Sequence, residues 1–117
     1  MHIIITGKGM ELTEAIKDYV EDKINALERF YDKILRAHVV VGVESRHHQK
    51  GDVFIAECRL EVPGKDLFAS KNEKTLYKAV DKIRDYLEGE LKKHKVLRRE
   101  KTKVERRQVR AGKEYKS

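Results

Sequence analysis

The sequence predicts an α+β fold of order β-α-β-β-β-α, a four-stranded mixed sheet with two helices packed on one face. Three observations carry that expectation. Two long runs alternate apolar and polar residues, as half-buried strands do. Two other stretches repeat apolar residues at helical spacing, so each helix needs a surface to cover. A short β-branched run precedes the first helix, so the chain opens as a β-α-β unit. Such a unit joins parallel strands by a right-handed crossover, and the later strands can add as an antiparallel meander.

Residues 2–6, His-Ile-Ile-Ile-Thr, read as a strand ending at Gly7 and Gly9. Thr13 is placed to cap a helix reaching about Phe30, with Ile16, Val20, Ile24 and Leu27 on one face and Tyr19 beside them. Leu35, Ala37, Val39, Val41 and Val43 alternate through a second strand over residues 35–44. The polar stretch 45–52, with Gly51 near its end, reads as a hairpin loop. Phe54, Ala56, Cys58, Leu60 and Val62 form the inner face of a third strand, Pro63-Gly64 a turn, and residues 66–70 a short fourth strand. Asn72 is placed to cap a last helix to about His94, whose stripe is Leu76, Ala79, Val80, Ile83, Leu87 and Leu91.

The composition sets the outer bounds. The 117 residues make one domain's worth of chain, with 40% charged and 39% hydrophobic side chains, hence a small core under a densely ionic surface. One cysteine, Cys58, excludes an intramolecular disulfide and a cysteine-based metal site. It alternates with apolar neighbours and reads as a small core residue. The N-terminus has no basic leader before a long apolar run, and no stretch approaches the roughly 20 apolar residues of a membrane span. The expectation is a soluble, cytoplasmic protein with no membrane partner.

The charge is unevenly placed. Residues 95–117 hold ten Lys/Arg and three Glu, a net of +7, whereas residues 1–94 hold seventeen of each sign and are neutral. The organisation expected is a patterned body at 1–94 and a basic tail at 95–117. The tail either extends the last helix a turn or two or is disordered until it meets its partner. Such a tail suits a polyanion. At 100° per residue, Lys71, Lys74, Lys78 and Lys82 fall within an arc of about 80° on the last helix, opposite its apolar stripe. Lys92 returns to that arc and Lys93 reaches its edge. Joined to His94, Lys95, Arg98 and Arg99, they form a basic track from helix to tail, which suits a phosphate backbone. Asp81, Asp85 and Glu88 share the arc, so an ordinary solvated surface is the competing reading. Lys23 falls inside the first helix's apolar stripe. It is either a snorkelling lysine or a charge placed in the groove between the helices, where it joins the track.

Other residues point away from chemistry. His47 and His48 are adjacent in the hairpin loop and make a poor metal pair, and His38 sits on the outer sheet face. No glycine-rich phosphate loop and no Gly-x-Ser-x-Gly elbow is present, so no enzyme, cofactor, metal or small-molecule substrate is expected. Aromatic residues are few, which argues against a sheet that stacks single-stranded bases. Recognition by shape and backbone fits better.

Residues 3–8, Ile-Ile-Ile-Thr-Gly-Lys, followed by residues 11–16, Glu-Leu-Thr-Glu-Ala-Ile, and residues 18–24, Asp-Tyr-Val-Glu-Asp-Lys-Ile, resemble the start of the ribosome hibernation-promoting factor family. Residues 76–83, Leu-Tyr-Lys-Ala-Val-Asp-Lys-Ile, with residues 91–95, Leu-Lys-Lys-His-Lys, continue the resemblance. It spans residues 1 to about 95, and the joint order of the segments is its specific part. This resemblance implies a fold similar to double-stranded RNA-binding domains. It also implies a translation inhibitor that binds the small ribosomal subunit and its rRNA between head and body. There it blocks messenger RNA and A- and P-site transfer RNA, and idle ribosomes hibernate, as in stress and stationary phase. RNA contact carries over to Lys23, Lys78, Lys82, Lys92, Lys93 and Lys95, and the track adds Lys74, Arg98 and Arg99. The length predicts a short form without the C-terminal dimerisation domain of long members, monomeric off the ribosome. The alternatives are a regulator that binds structured RNA in general and a protein-interaction module that modulates transcription. The latter needs an exposed apolar patch that the sequence does not display.

Overall fold

The β-branched run at the start forms β1 (His2–Lys8), and Thr13 caps α1 (Glu14–Asn25) by accepting a hydrogen bond from the Ile16 N–H at 3.2 Å. A 3-10 turn, Ala26–Arg29, follows and buries Leu27. Then come β2 (Arg36–Ser45), β3 (Asp52–Val62), β4 (Lys65–Glu73) and α2 (Leu76–Lys116). The computed structural model describes residues 1–45 and 51–116, with side chains for 1–44 and 51–99. His47 and His48 lie outside the described residues.

The sheet order is β1-β2-β3-β4, with β1 parallel to β2 and the other pairs antiparallel. This is the predicted mixed sheet. Register places Val39 opposite Cys58 and Cys58 opposite Ala69, and likewise Ala37, Leu60 and Leu67 in one row. These residues are buried, so one face of the sheet is the core face. Its middle is paved with Ala37, Ala56, Ala69 and Cys58, small side chains that let α2 approach closely. Onto them pack Leu76, Ala79, Val80, Ile83, Leu87 and Leu91 of α2, with Val20, Ile24 and Leu27 from the α1 side. Burial pushes the Cys58 thiol up to about 12, which leaves it an inert core group.

The opposite face of the sheet is not covered by a helix. There Ile4 and Phe68 are exposed, and His38 Nε2 lies 3.0 Å from Glu61 Oε1.

The first helix is shorter than expected, since α1 ends at Asn25 and the remaining turn towards Phe30 is 3-10, and α2 differs from expectation at both ends. Asn72 does not cap the last helix. It pairs with Ile55 in β4, because β3 is long enough to hold the backbone of residues 71–73 in its ladder. The helix therefore starts three residues later, and Thr75 caps it by accepting from the Lys78 N–H at 3.2 Å. Lys71 consequently sits on β4, and Lys74 in the connector before α2. The other difference is length, since α2 continues to Lys116, well beyond one or two turns past His94. At 1.5 Å per residue its 41 residues span roughly 60 Å, most of the 72 Å long axis of the molecule.

Candidate nucleic-acid interface

One helix supplies both the largest part of the core and the candidate site. The periodicity that turns Ile83, Leu87 and Leu91 inward turns Lys78, Lys82, Lys92 and Lys93 outward, and all four lysines are exposed. Lys74 leads into the row from the connector. The row has acidic company. Lys82 pairs with Glu73, Lys92 lies 3.0 Å from Glu88, and Lys93 lies 3.6 Å from Glu90. Hydrogen bonds from the lysines hold two of these carboxyls below the usual range. Lys82 dominates at Glu73, aided by the charge of Lys78, and Lys92 dominates at Glu88, aided by Arg84. Exposed pairs of this kind are screened by solvent and contribute little to stability. Their effect is positional, since they hold ammonium groups on one face of a rigid helix.

Lys23 reaches from α1 to α2: its Nζ stands 3.4 Å from Asp81 Oδ1 and 5.4 Å from the centre of the Tyr19 ring. The Tyr19 hydroxyl donates to the same carboxylate oxygen at 2.5 Å. Burial first, and then this hydrogen bond, raise the Tyr19 phenol to about 12, so it remains a donor at any physiological pH. Tyr77 completes the cluster, its ring centre 4.6 Å from that of Tyr19 in an edge-on arrangement.

Past residue 93 the predicted track divides. His94 does not belong to the basic surface. It is 4% exposed, packs edge-on against Tyr31 at 5.2 Å, and its Nε2 has no hydrogen-bond partner among the described residues. Arg98 follows it by one turn on the packed side, rotated about 160° from Lys78 at 100° per residue. A side-chain carbon on Gly64 would come within 3.2 Å of its guanidinium, so Arg98 lies over the Pro63-Gly64 turn. Gly64 adopts a φ of 91°, which itself favours glycine there. Arg99 stays within about 60° of Lys78, and Lys95 is turned by about 100°. Both are exposed. The structure thus brings Lys74, Lys78, Lys82, Lys92, Lys93 and Arg99 to one side, sets Lys23 and Lys95 on its flank, and takes Arg98 away.

Burial, followed by the charges of Lys65 and Arg98, lowers the His94 pKa below its ordinary 6.5, against a hydrogen bond with the Pro63 backbone. The unfolded chain therefore takes up this proton first. Stability is complete above about 6.5 and falls as the pH drops through that value towards the folded pKa. Thermal melts between about pH 7.5 and 5.5 should show the melting point fall, and His94→Leu should flatten that fall. An equal pH dependence in the variant would assign it to other groups.

The aromatic positions were not legible from composition. Tyr77 and Tyr86 are 46% and 45% exposed on either flank of the lysine row, and the Lys71 ammonium stands 5.2 Å from the centre of the Tyr86 ring. The available signal was angular: Tyr77 precedes Lys78 on the same helix. Among the described residues no group of three His, Cys, Asp or Glu side chains could hold a metal ion. No described helix is long and apolar enough to cross a membrane.

Residues 3–105 match the family described as sigma 54 modulation protein / S30EA ribosomal protein. The ribosome hibernation promoting factor of Pseudomonas putida is 33% identical over 95 residues, which cover 81% of this chain and 87% of that one. The factor of the same name from Escherichia coli K12 is 35% identical over 95 residues, covering 81% and 94%. Among solved structures, the N-terminal domain of Thermus thermophilus Protein Y superposes with a TM-score of 0.71 at 33% identity. It covers 80% of this chain and 99% of its own. A ribosomal subunit interface protein from Coxiella burnetii gives a TM-score of 0.72 at 26% identity, covering 82% and 99%.

Proposed function

The chain belongs to the sigma 54 modulation protein / S30EA ribosomal protein family, and from that premise we propose that it is a ribosome-associated translation inhibitor. It acts by binding, not by catalysis, as a cytoplasmic protein that is monomeric off the ribosome. Its target is the small subunit and its rRNA, in the channel between head and body. Occupying that channel excludes messenger RNA and the A- and P-site transfer RNAs, so idle ribosomes hibernate. The observation that supports this reading best is the exposed lysine row of α2, held rigid by the core stripe on the helix's other side. Lys74, Lys78, Lys82, Lys92, Lys93 and Arg99 face phosphates directly. Lys23 and Lys95 reach them from the flank, and Arg98 does so only by leaving the β3–β4 turn. Spacing along a rigid rod matches a backbone of regularly spaced charges better than a compact ligand.

Residues 1–94 choose the site and residues 95–117 add affinity, because the lysine row and the core both lie in the first part and the net charge in the second. The test is sedimentation with purified small subunits, using the full chain and a chain ending at Lys95. Both should co-sediment at low salt, with the shorter chain weaker and less salt-dependent. Failure of the full chain to co-sediment overturns the proposal. Displacement by free duplex RNA at equal concentration would point instead to a general binder of structured RNA.

A further inference from the structure

Beside Tyr77 the surface dips into an apolar hollow of about 350 Å³, bounded by Met10, Ile16, Phe54, Leu76 and the Tyr77 ring. We propose that this hollow and the exposed ring of Tyr77 take an unpaired nucleobase of the RNA whose phosphates lie on the lysine row. This inference rests on the ribosome reading above. Three features commit the hollow to a base. The volume is ample for one base, which is flat and apolar on its faces. The ring is presented in a fixed pose, because Tyr77 leans on Tyr19, and Tyr19 is tied to Asp81 at 2.5 Å, which in turn holds Lys23 at 3.4 Å. Such a ring costs little ordering when a base stacks on it. Lastly, the hollow is next to cations: Lys78 follows Tyr77 in the chain, Lys74 precedes the helix, and Lys23 lies behind the Tyr19 ring. A nucleotide seated there has its base on carbon and its phosphate among ammonium groups. An apolar protein side chain could fill the hollow but would make no use of the ammonium groups beside it.

A base on Tyr77 gives the site a preference that phosphate contacts cannot. It selects a strand with an unstacked base at one defined distance from the phosphates bound by Lys78 and Lys82. A uniform duplex offers no such base.

The experiment uses full chains carrying Tyr77→Phe or Tyr77→Leu, sedimented with purified small subunits across a salt series beside the unaltered protein. Leucine keeps apolar packing against Tyr19 and removes the stacking face. Tyr77→Leu should bind about 5- to 150-fold more weakly, the range for loss of one base stacked on an aromatic ring. Its salt slope should be unchanged, because no phosphate contact is lost. Tyr77→Phe should bind within about 2-fold of the parent, since stacking needs the ring and not the hydroxyl. A second readout uses the absence of tryptophan from the chain. Tyr77→Trp supplies the only tryptophan, which can be excited selectively at the red edge where the remaining tyrosines do not absorb; when it is titrated with a protein-free rRNA fragment that binds the parent, stacking should quench it. Wild-type affinity in Tyr77→Leu, equal losses in the leucine and phenylalanine variants, or an altered slope would overturn the stacking role and leave the ribosome reading standing. No binding by the unaltered protein would overturn both.

Discussion

Reversing Lys78, Lys82 and Lys92 together to Glu should weaken binding to the small ribosomal subunit by on the order of 100-fold. It should also reduce the slope of log affinity against log salt by about 2 to 3. Each phosphate neutralised contributes about 0.7 to 0.9 to that slope, so three lost contacts are visible even with the +7 tail intact. The three lysines do not start from the same state. Lys82 holds Glu73, and Lys92 holds Glu88 at 3.0 Å. Each must exchange a carboxylate for a phosphate on binding, and part of its gain is spent breaking the pair. Lys78 acts on Glu73 only through its charge. Lys78→Glu should therefore be the most damaging of the three single reversals. The converse follows from the same geometry. Glu73→Gln and Glu88→Gln release Lys82 and Lys92, and each should strengthen binding by about 2- to 5-fold at low salt. Sedimentation at a series of salt concentrations measures all of these. An unchanged slope in the triple reversal would show that the row is only a solvated surface and that the tail binds alone.

The parts of this design that could be read in the sequence are those set by local periodicity. Val39 and Val41 pair with Cys58 and Ala56 across the ladder as alternation requires, and Ile83, Leu87 and Leu91 are buried as the helical stripe requires. Thr13 caps α1 as its position suggests. The start of α2 was not legible in the same way. Asn72 and Thr75 are both good caps, and the choice between them is made by β3, whose length keeps Asn72 in the sheet. No window around residue 72 contains that information. The extent of α2 is a related case, because residues 95–116 contain no proline and are rich in good helix formers but lack an apolar period.

Charge was the more misleading guide at residues 94 and 98. A run of Lys-Lys-His-Lys reads as one basic surface, yet His94 continues the inward line of Leu87 and Leu91 and is buried, while Arg98, on the same line one turn later, is exposed but turned to the Pro63-Gly64 turn. Angular position decides which way these two side chains face, and residue type does not. The same angular reading places Tyr77 beside the lysine row, where composition alone counts it as one of five scattered tyrosines.

Leu87→Ala should be the most damaging single change to stability, at about 2–5 kcal/mol, and should lower the melting point by upwards of about 10 °C. Leu87 is fully buried in the middle of the α2 stripe, over the small residues that pave the sheet. The helix rests on backbone-tethered neighbours there, so collapse around the missing atoms is limited and a cavity remains. Leu97→Ala, at a position 62% exposed on the same helix, should change stability by less than about 0.5 kcal/mol. Urea denaturation of the two variants measures the contrast, and similar midpoints would mean that α2 is not docked on the sheet as described. The consequence for binding follows from one helix having two faces. Leu87→Ala touches no lysine, so well below its melting point it should bind the small subunit with the parental salt slope. As the temperature approaches the lowered melting point, the lysine row should lose its register and binding should fall together with the folded fraction. Loss of binding in the cold, in a variant shown to be folded, would mean that the core side of α2 shapes the site beyond holding it in place.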